Sequence, residues 1–88
     1  MAESGKKFRI AVIDDEKELA GAIKDFLESR NFVVEMAHNG RAGLELVLKE
    51  KPDLVILDVM MPLMDGRDVP SAIKREETTK HIPVLMLT

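Results

Sequence analysis

The sequence predicts an α/β protein in which helices cover both faces of a mostly parallel sheet. Short apolar runs alternate with longer amphipathic segments along the 88 residues, in the order β-α-β-α-β-α-β. The run from Leu54 to Leu57 is apolar at every position, which is typical of a strand covered on both faces. Strands that are joined through helices in this way pair in parallel, with right-handed crossovers.

The first strand and the first helix are predicted near the N-terminus. Phe8 to Ile13 is rich in residues that favour strands. The acidic residues 14 to 16 follow it and mark a helix start, because acidic side chains favour the positive end of the helix dipole. The next apolar residues recur at the spacing of one helical face: Leu19, Ala22, Ile23, Phe26 and Leu27.

A second strand, a second helix and the third strand are predicted in the middle of the chain. Phe32 to Met36 fits a strand, and Asn39-Gly40 makes a turn before the helix. Pro52 ends that helix before the apolar run at Leu54. The apolar positions of the second helix are Leu44, Val47 and Leu48.

The last elements are a third helix and a fourth strand. The helix is predicted after Gly66, with Pro70 in its first turn, where the missing N–H does no harm. The polar loop Glu76 to His81 then leads to a strand at Val84 to Leu87, and the sequence stops at Thr88. The apolar stripe of the third helix is Val69, Ala72 and Ile73.

Composition excludes several classes of protein. The 13 basic and 16 acidic residues give a net charge of -3, and only three aromatic residues are present, which argues against direct nucleic-acid binding. Without cysteine there is no disulfide or thiolate metal site. No apolar run approaches the roughly 18 residues of a membrane span, and the N-terminus does not resemble a signal peptide. We therefore expect a cytoplasmic protein. We also expect His38 and His81 to be solvated, since neither is near a second metal-type ligand in the sequence.

Acidic residues follow two of the predicted strands. Asp14 and Asp15 end the first strand and Asp58 ends the third, so three carboxylates converge at one sheet edge if these strands are neighbours. Carboxylates that close raise one another's pKa values. Mg²⁺ would neutralise them, because it prefers oxygen ligands and keeps several waters. Beside such an ion, Asp58 is a plausible nucleophile for a phosphoryl group.

Together with these acids, the segment MPLMDG at residues 61–66 and Thr88 after VLML resemble the receiver domain of two-component response regulators. The resemblance covers nearly the whole chain, so residues 1–88 are interpreted as one receiver domain. It implies a flavodoxin-like doubly wound sheet with strand order 2-1-3-4.

The resemblance also implies a role for each matching residue. Asp58 would take a phosphoryl group from a histidine kinase or phosphotransfer protein. Asp15 would ligate Mg²⁺ directly, Asp14 through water, and Met60 through its backbone carbonyl. Thr88 would bond the phosphoryl oxygens and signal phosphorylation to the rest of the domain.

The family pattern continues with a fourth helix, a fifth strand that carries a lysine, and a fifth helix, which this sequence lacks. Lys74 and Lys80 fall in the third helix and the loop after it, so neither matches the family's lysine. We therefore expect a receiver domain truncated after its fourth strand and phosphorylated slowly. Apolar strand residues such as Ile56 and Leu85, or their neighbours, would lie open. The chain would then associate with itself or with a partner that supplies the missing cover.

Three classes of function remain open. The first is a phosphoacceptor module, which is not a turnover enzyme. The second is an interaction module that keeps the fold without cycling through phosphorylation. The third is a phosphatase with an aspartyl-phosphate intermediate, which would normally carry a second acid where Met60 stands. Among the single residues, Asp14 could be only a helix cap, and Asp65-Gly66 is better explained as a turn than as a ligand pair.

Overall fold

A computed structural model of the chain describes residues 7–58 and 69–87, in which four strands form one sheet in the order β2-β1-β3-β4. Every pair of neighbouring strands is parallel. The predicted fold class and strand order are therefore confirmed. The strands are β1 (Arg9–Ile13), β2 (Val33–Ala37), β3 (Leu54–Asp58) and β4 (Val84–Leu87), and the helices are α1 (Lys17–Ser29), α2 (Gly40–Glu50) and α3 (Val69–Arg75).

The strand register brings the ends of β1 and β3 to one edge. Ile10 is opposite Leu54, and Ile13 is opposite Leu57. On the other side of β1, Ile13 is opposite Ala37, the last residue of β2. The residues that follow β1 therefore emerge between the ends of its two neighbours.

Alternate residues of the central strands supply two apolar cores, because successive side chains of a strand point to opposite faces. On the face covered by α2 and α3, Ile13, Val55 and Ile73 are fully buried. The predicted stripe of α3 belongs to this side, and all three of its residues are buried. On the α1 face, Ile56 is only 8% exposed and packs in the cluster that contains Ala20. The expectation that Ile56 lies open is therefore wrong, whereas Leu85 is 52% exposed.

Helix α1 is rotated relative to the face predicted from its sequence. Ala20 is fully buried, and Ile23 and Leu27 pack against the same core, whereas Leu19 and Phe26 are 43% and 58% exposed. A helix turns about 100° per residue, so contact through residues 20, 23 and 27 leaves residues 19 and 26 on its flank. Among residues 7–58 and 69–87, no helix has the length and apolar character needed to cross a membrane.

Gly43 allows α2 to approach the end of β1 closely. A Cβ atom at this position would lie 2.7 Å from two side-chain carbons of Ile13, which is fully buried. Only a residue without a side chain fits this contact unless Ile13 moves. The glycine therefore sets the spacing between α2 and the strand residue that directly precedes Asp14.

The opposite ends of β1 and β3 are joined by a polar cluster. The backbone N–H of Arg9 donates to Oδ2 of Asp53 at 2.8 Å, and the backbone N–H of Asp53 donates to the carbonyl of Arg9 at 2.8 Å. The Arg9 guanidinium also pairs with Glu50 at the end of α2. These contacts hold the starts of both strands side by side.

Candidate functional site

Three carboxylates lie together at the carboxyl ends of β1 and β3. Asp14 and Asp15 directly follow β1, and Asp58 is the last residue of β3. One carboxylate oxygen from each residue lies within 4.8 Å of the others. The parallel register of the two strands produces this arrangement, because it brings both chain exits to the same edge.

Asp14 forms the buried floor of this acidic cluster. Asp14 is only 1% exposed, and its Oδ1 accepts a hydrogen bond from the backbone N–H of Glu16 at 2.9 Å. Its Oδ2 is buried and has no hydrogen-bond partner among the described residues. Since buried polar atoms are normally paired, this oxygen is a suitable ligand for a cation. Asp14 does not cap α1, because the N-cap of this helix is Glu16, which has no side-chain cap hydrogen bond.

The environment of Asp14 raises the pKa of its carboxyl group above the ordinary value of 3.8, chiefly because burial disfavours the charged form. The neighbouring carboxylates of Asp58 and Asp15 raise this pKa further, and the Glu16 N–H opposes the shift. A bound cation would reverse this balance, since it favours the charged form of all three acids.

The cluster opens to solvent through Asp15. Asp14 is buried, Asp58 is half-buried and Asp15 is exposed, so a hydrated ion can reach the carboxylates from one side. Carboxylate oxygens and retained waters are the ligands that Mg²⁺ prefers. The three residues and the unpaired Oδ2 of Asp14 thus fit a hard divalent cation.

His38 contacts this cluster, although the sequence predicts a solvated side chain. It is half-buried, and its Nδ1 lies 3.1 Å from the backbone carbonyl oxygen of Asp14. Since a carbonyl oxygen only accepts, Nδ1 is the donor. The two residues are 24 positions apart, so no local pattern reveals the contact. The only available signal is that His38 directly follows β2, next to the end of β1. His81 is exposed as predicted.

Several predicted site residues lie outside the described part of the chain. These residues are Met60, Thr88 and the Asp65-Gly66 turn, and their roles stay predictions.

Of the two lysines excluded from a phosphoryl role, Lys74 has a structural one. Its Nζ donates to the carbonyl of Ile82 at 2.7 Å, which ties α3 to the segment before β4.

Comparisons with known proteins agree on one family. The sequence model of the response regulator receiver domain family matches residues 10–88 of this chain. Response regulator MprA of Mycolicibacterium vanbaalenii is 38% identical over 80 residues, which cover 91% of this chain and 34% of that protein. The DNA-binding dual master transcriptional regulator RpaA of Synechocystis is 40% identical, with 91% and 33% covered. The chain thus spans about one third of the length of these relatives.

Solved structures give the same result. The N-terminal domain of a response regulator receiver protein from Methanoculleus marisnigri is 37% identical, with a TM-score of 0.85 over 94% of this chain and 68% of that one. The chemotaxis response regulator CheY4 of Vibrio cholerae is 28% identical, with a TM-score of 0.84 over 92% and 68% of the two chains.

Proposed function

Since this chain belongs to the response regulator receiver domain family, we propose that it is the phosphoacceptor module of a two-component phosphorelay. Asp58 takes a phosphoryl group from a histidine kinase or a phosphotransfer protein, with Mg²⁺ at the acidic cluster. The observation that carries this proposal is the convergence of three carboxylates within 4.8 Å. The unpaired buried oxygen of Asp14 supports it independently.

Each acid has a distinct part in this mechanism. Asp14 and Asp15 would hold the metal ion together with Asp58, and the ion would supply neutralisation of charge on the transferring oxygens. A carboxylate oxygen of Asp58 forms a bond to phosphorus while the P–N bond of the donor's phosphohistidine breaks. The released imidazole takes up a proton, and Asp58 carries an acyl phosphate. The position of Asp58 at the end of β3, half-buried, holds its carboxylate at the site without closing it to the donor.

The chain would act as an acceptor in signalling and not as a turnover enzyme. Binding to nucleic acid or to membranes is not proposed for these 88 residues, although one relative is named as DNA-binding. Self-association is proposed from β4, where Leu85 and Met86 are 52% and 46% exposed on a strand at the end of the strand order. The cytoplasmic location stays a prediction.

Labelling with a small-molecule phosphodonor, with and without Mg²⁺, tests this function. We expect the intact mass of the chain to increase by one phosphoryl group only with Mg²⁺, and the adduct to be acid-stable and base-labile. Asp58→Asn should abolish the adduct, whereas Asp25→Asn, on the exposed side of α1, should leave it unchanged. The same adduct on the Asp58 variant would refute the assignment. No adduct on the parent chain would favour an interaction module that does not cycle.

A further inference from the structure

His38 makes a polar contact with the acidic cluster that the proposed phosphoryl transfer does not use. Its Nδ1 lies 3.1 Å from the carbonyl oxygen of Asp14. On the other side of the same residue, the Asp14 N–H donates to the carbonyl of Ala37 at 3.0 Å. The end of β2 therefore contacts both polar backbone groups of Asp14, through two consecutive residues.

The contact fixes more than Asp14. The Asp14 carbonyl and the Asp15 N–H belong to one planar peptide unit. A hydrogen bond to this carbonyl restricts rotation of the unit, which sets the direction in which the Cα–Cβ bond of Asp15 leaves the backbone. Asp15 is exposed, so little packing is available to orient its side chain.

The histidine is itself held in place from both sides. Ala37 before it is buried and paired with Ile13 in the sheet. Asn39 after it caps α2, with its Oδ1 accepting from the backbone N–H of Ala42 at 2.8 Å. The ring thus extends from a short backbone segment anchored at each end. The contact requires a proton on Nδ1 of the ring.

We propose that His38 is a positioning residue of the metal site: its hydrogen bond to the Asp14 carbonyl orients the Asp14–Asp15 peptide so that the Asp15 carboxylate faces the cation. This inference rests on the proposed function, because it assumes that the acidic cluster binds Mg²⁺. It adds the residue that follows β2 to a site otherwise built at the ends of β1 and β3.

The test compares a variant without a donor with one that keeps it. His38→Leu preserves bulk and removes the hydrogen bond, whereas His38→Asn places an amide N–H near the position of Nδ1. Groups that orient metal ligands typically contribute about tenfold or more to affinity. We expect His38→Leu to bind Mg²⁺ about tenfold more weakly than the parent in a calorimetric titration, and His38→Asn to recover most of this loss. His81→Leu, at an exposed histidine, is the matched control and should bind like the parent.

Thermal unfolding without Mg²⁺ separates positioning from general stability. We expect His38→Leu and His38→Asn to unfold at similar temperatures in EDTA while they differ in Mg²⁺ affinity. Parental affinity in His38→Leu, or an Asn variant as weak as the Leu variant, would overturn the inference and leave the metal site intact. If the parent chain does not bind Mg²⁺, the metal site fails and the inference fails with it. If His38→Leu does not fold, His38→Ala replaces it in the same comparison with Asn.

Discussion

Asp14→Asn should stabilise the metal-free protein, although Asp14 is a proposed metal ligand. The substitution keeps the shape of the side chain and an oxygen that can accept from the Glu16 N–H. It removes a buried charge and replaces the unpaired Oδ2 by an N–H group that can donate to the neighbouring carboxylates. The folded state therefore loses a repulsion and gains a donor.

The magnitude follows from the separation of the charges. Carboxylate oxygens within 4.8 Å of one another repel by at least about 1 kcal/mol in bulk water and by at least about 3.5 kcal/mol at an effective dielectric constant near 20. Solvent around the exposed Asp15 weakens the repulsion between its carboxylate and that of Asp14. We therefore expect the free energy of unfolding in EDTA at pH 7 to rise by about 1–3 kcal/mol.

The gain should depend on pH in one direction. Because the folded-state pKa of Asp14 is raised above 3.8, the folded parent binds a proton more tightly than the unfolded chain does. The parent accordingly loses stability as the pH rises from 3.8 through the raised pKa. The difference in free energy of unfolding between Asp14→Asn and the parent should be largest at pH values above the raised pKa and should disappear below pH 3.8.

Urea unfolding at several pH values, in EDTA and in Mg²⁺, measures these effects. Mg²⁺ at ten times its dissociation constant should stabilise the parent by about 1.4 kcal/mol and the variant by less. Asp25→Asn makes the same chemical change at an exposed position and should alter stability by less than about 0.5 kcal/mol. An Asp14→Asn protein that is no more stable than the parent in EDTA at pH 7 would refute the electrostatic argument.

Three further predictions address the metal, the helix packing and the sheet edge. Asp15→Asn should weaken Mg²⁺ binding by about tenfold or more, and equal calorimetric affinities would contradict its role as a ligand. Gly43→Ala should lower the free energy of unfolding by about 1–3 kcal/mol, because its Cβ meets Ile13 at 2.7 Å. Gly21→Ala, with open space around its Cβ, should instead raise it by about 0.5–1 kcal/mol. Light scattering over a dilution series should show self-association that Met86→Lys reduces, and a monomeric parent at every concentration would rule it out.

Periodicity predicted the helices and the buried face of α3, but not the rotation of α1 about its own axis. The apolar stripe of α1 is wide enough to offer two faces, and only packing against the sheet selects the one around Ala20 over the one that includes Leu19 and Phe26. The strand order was inferred from family resemblance, since alternation of strands and helices fits several orders.

The site was predictable where it depends on strand ends. Acids that follow buried strands signal a shared edge, and the structure brings Asp14, Asp15 and Asp58 together there. The contact of His38 with the Asp14 carbonyl was not predictable, because it joins chain segments whose proximity no spacing in the sequence encodes. The unpaired state of the Asp14 Oδ2 likewise depends on which neighbours reach it in three dimensions.

The polar contacts at the start of β1 and β3 place the two strands in register at the end opposite to the acidic cluster. Arg9 and Asp53 are 44 residues apart, and so are Asp14 and Asp58. The number of residues from the paired start of each strand to its acid is therefore the same in β1 and in β3. One extra residue in β1 alone would displace Asp14 by about 3.3 Å and turn it to the opposite face of the sheet. An insertion or deletion in β1 or in β3 alone would therefore separate Asp14 from Asp58.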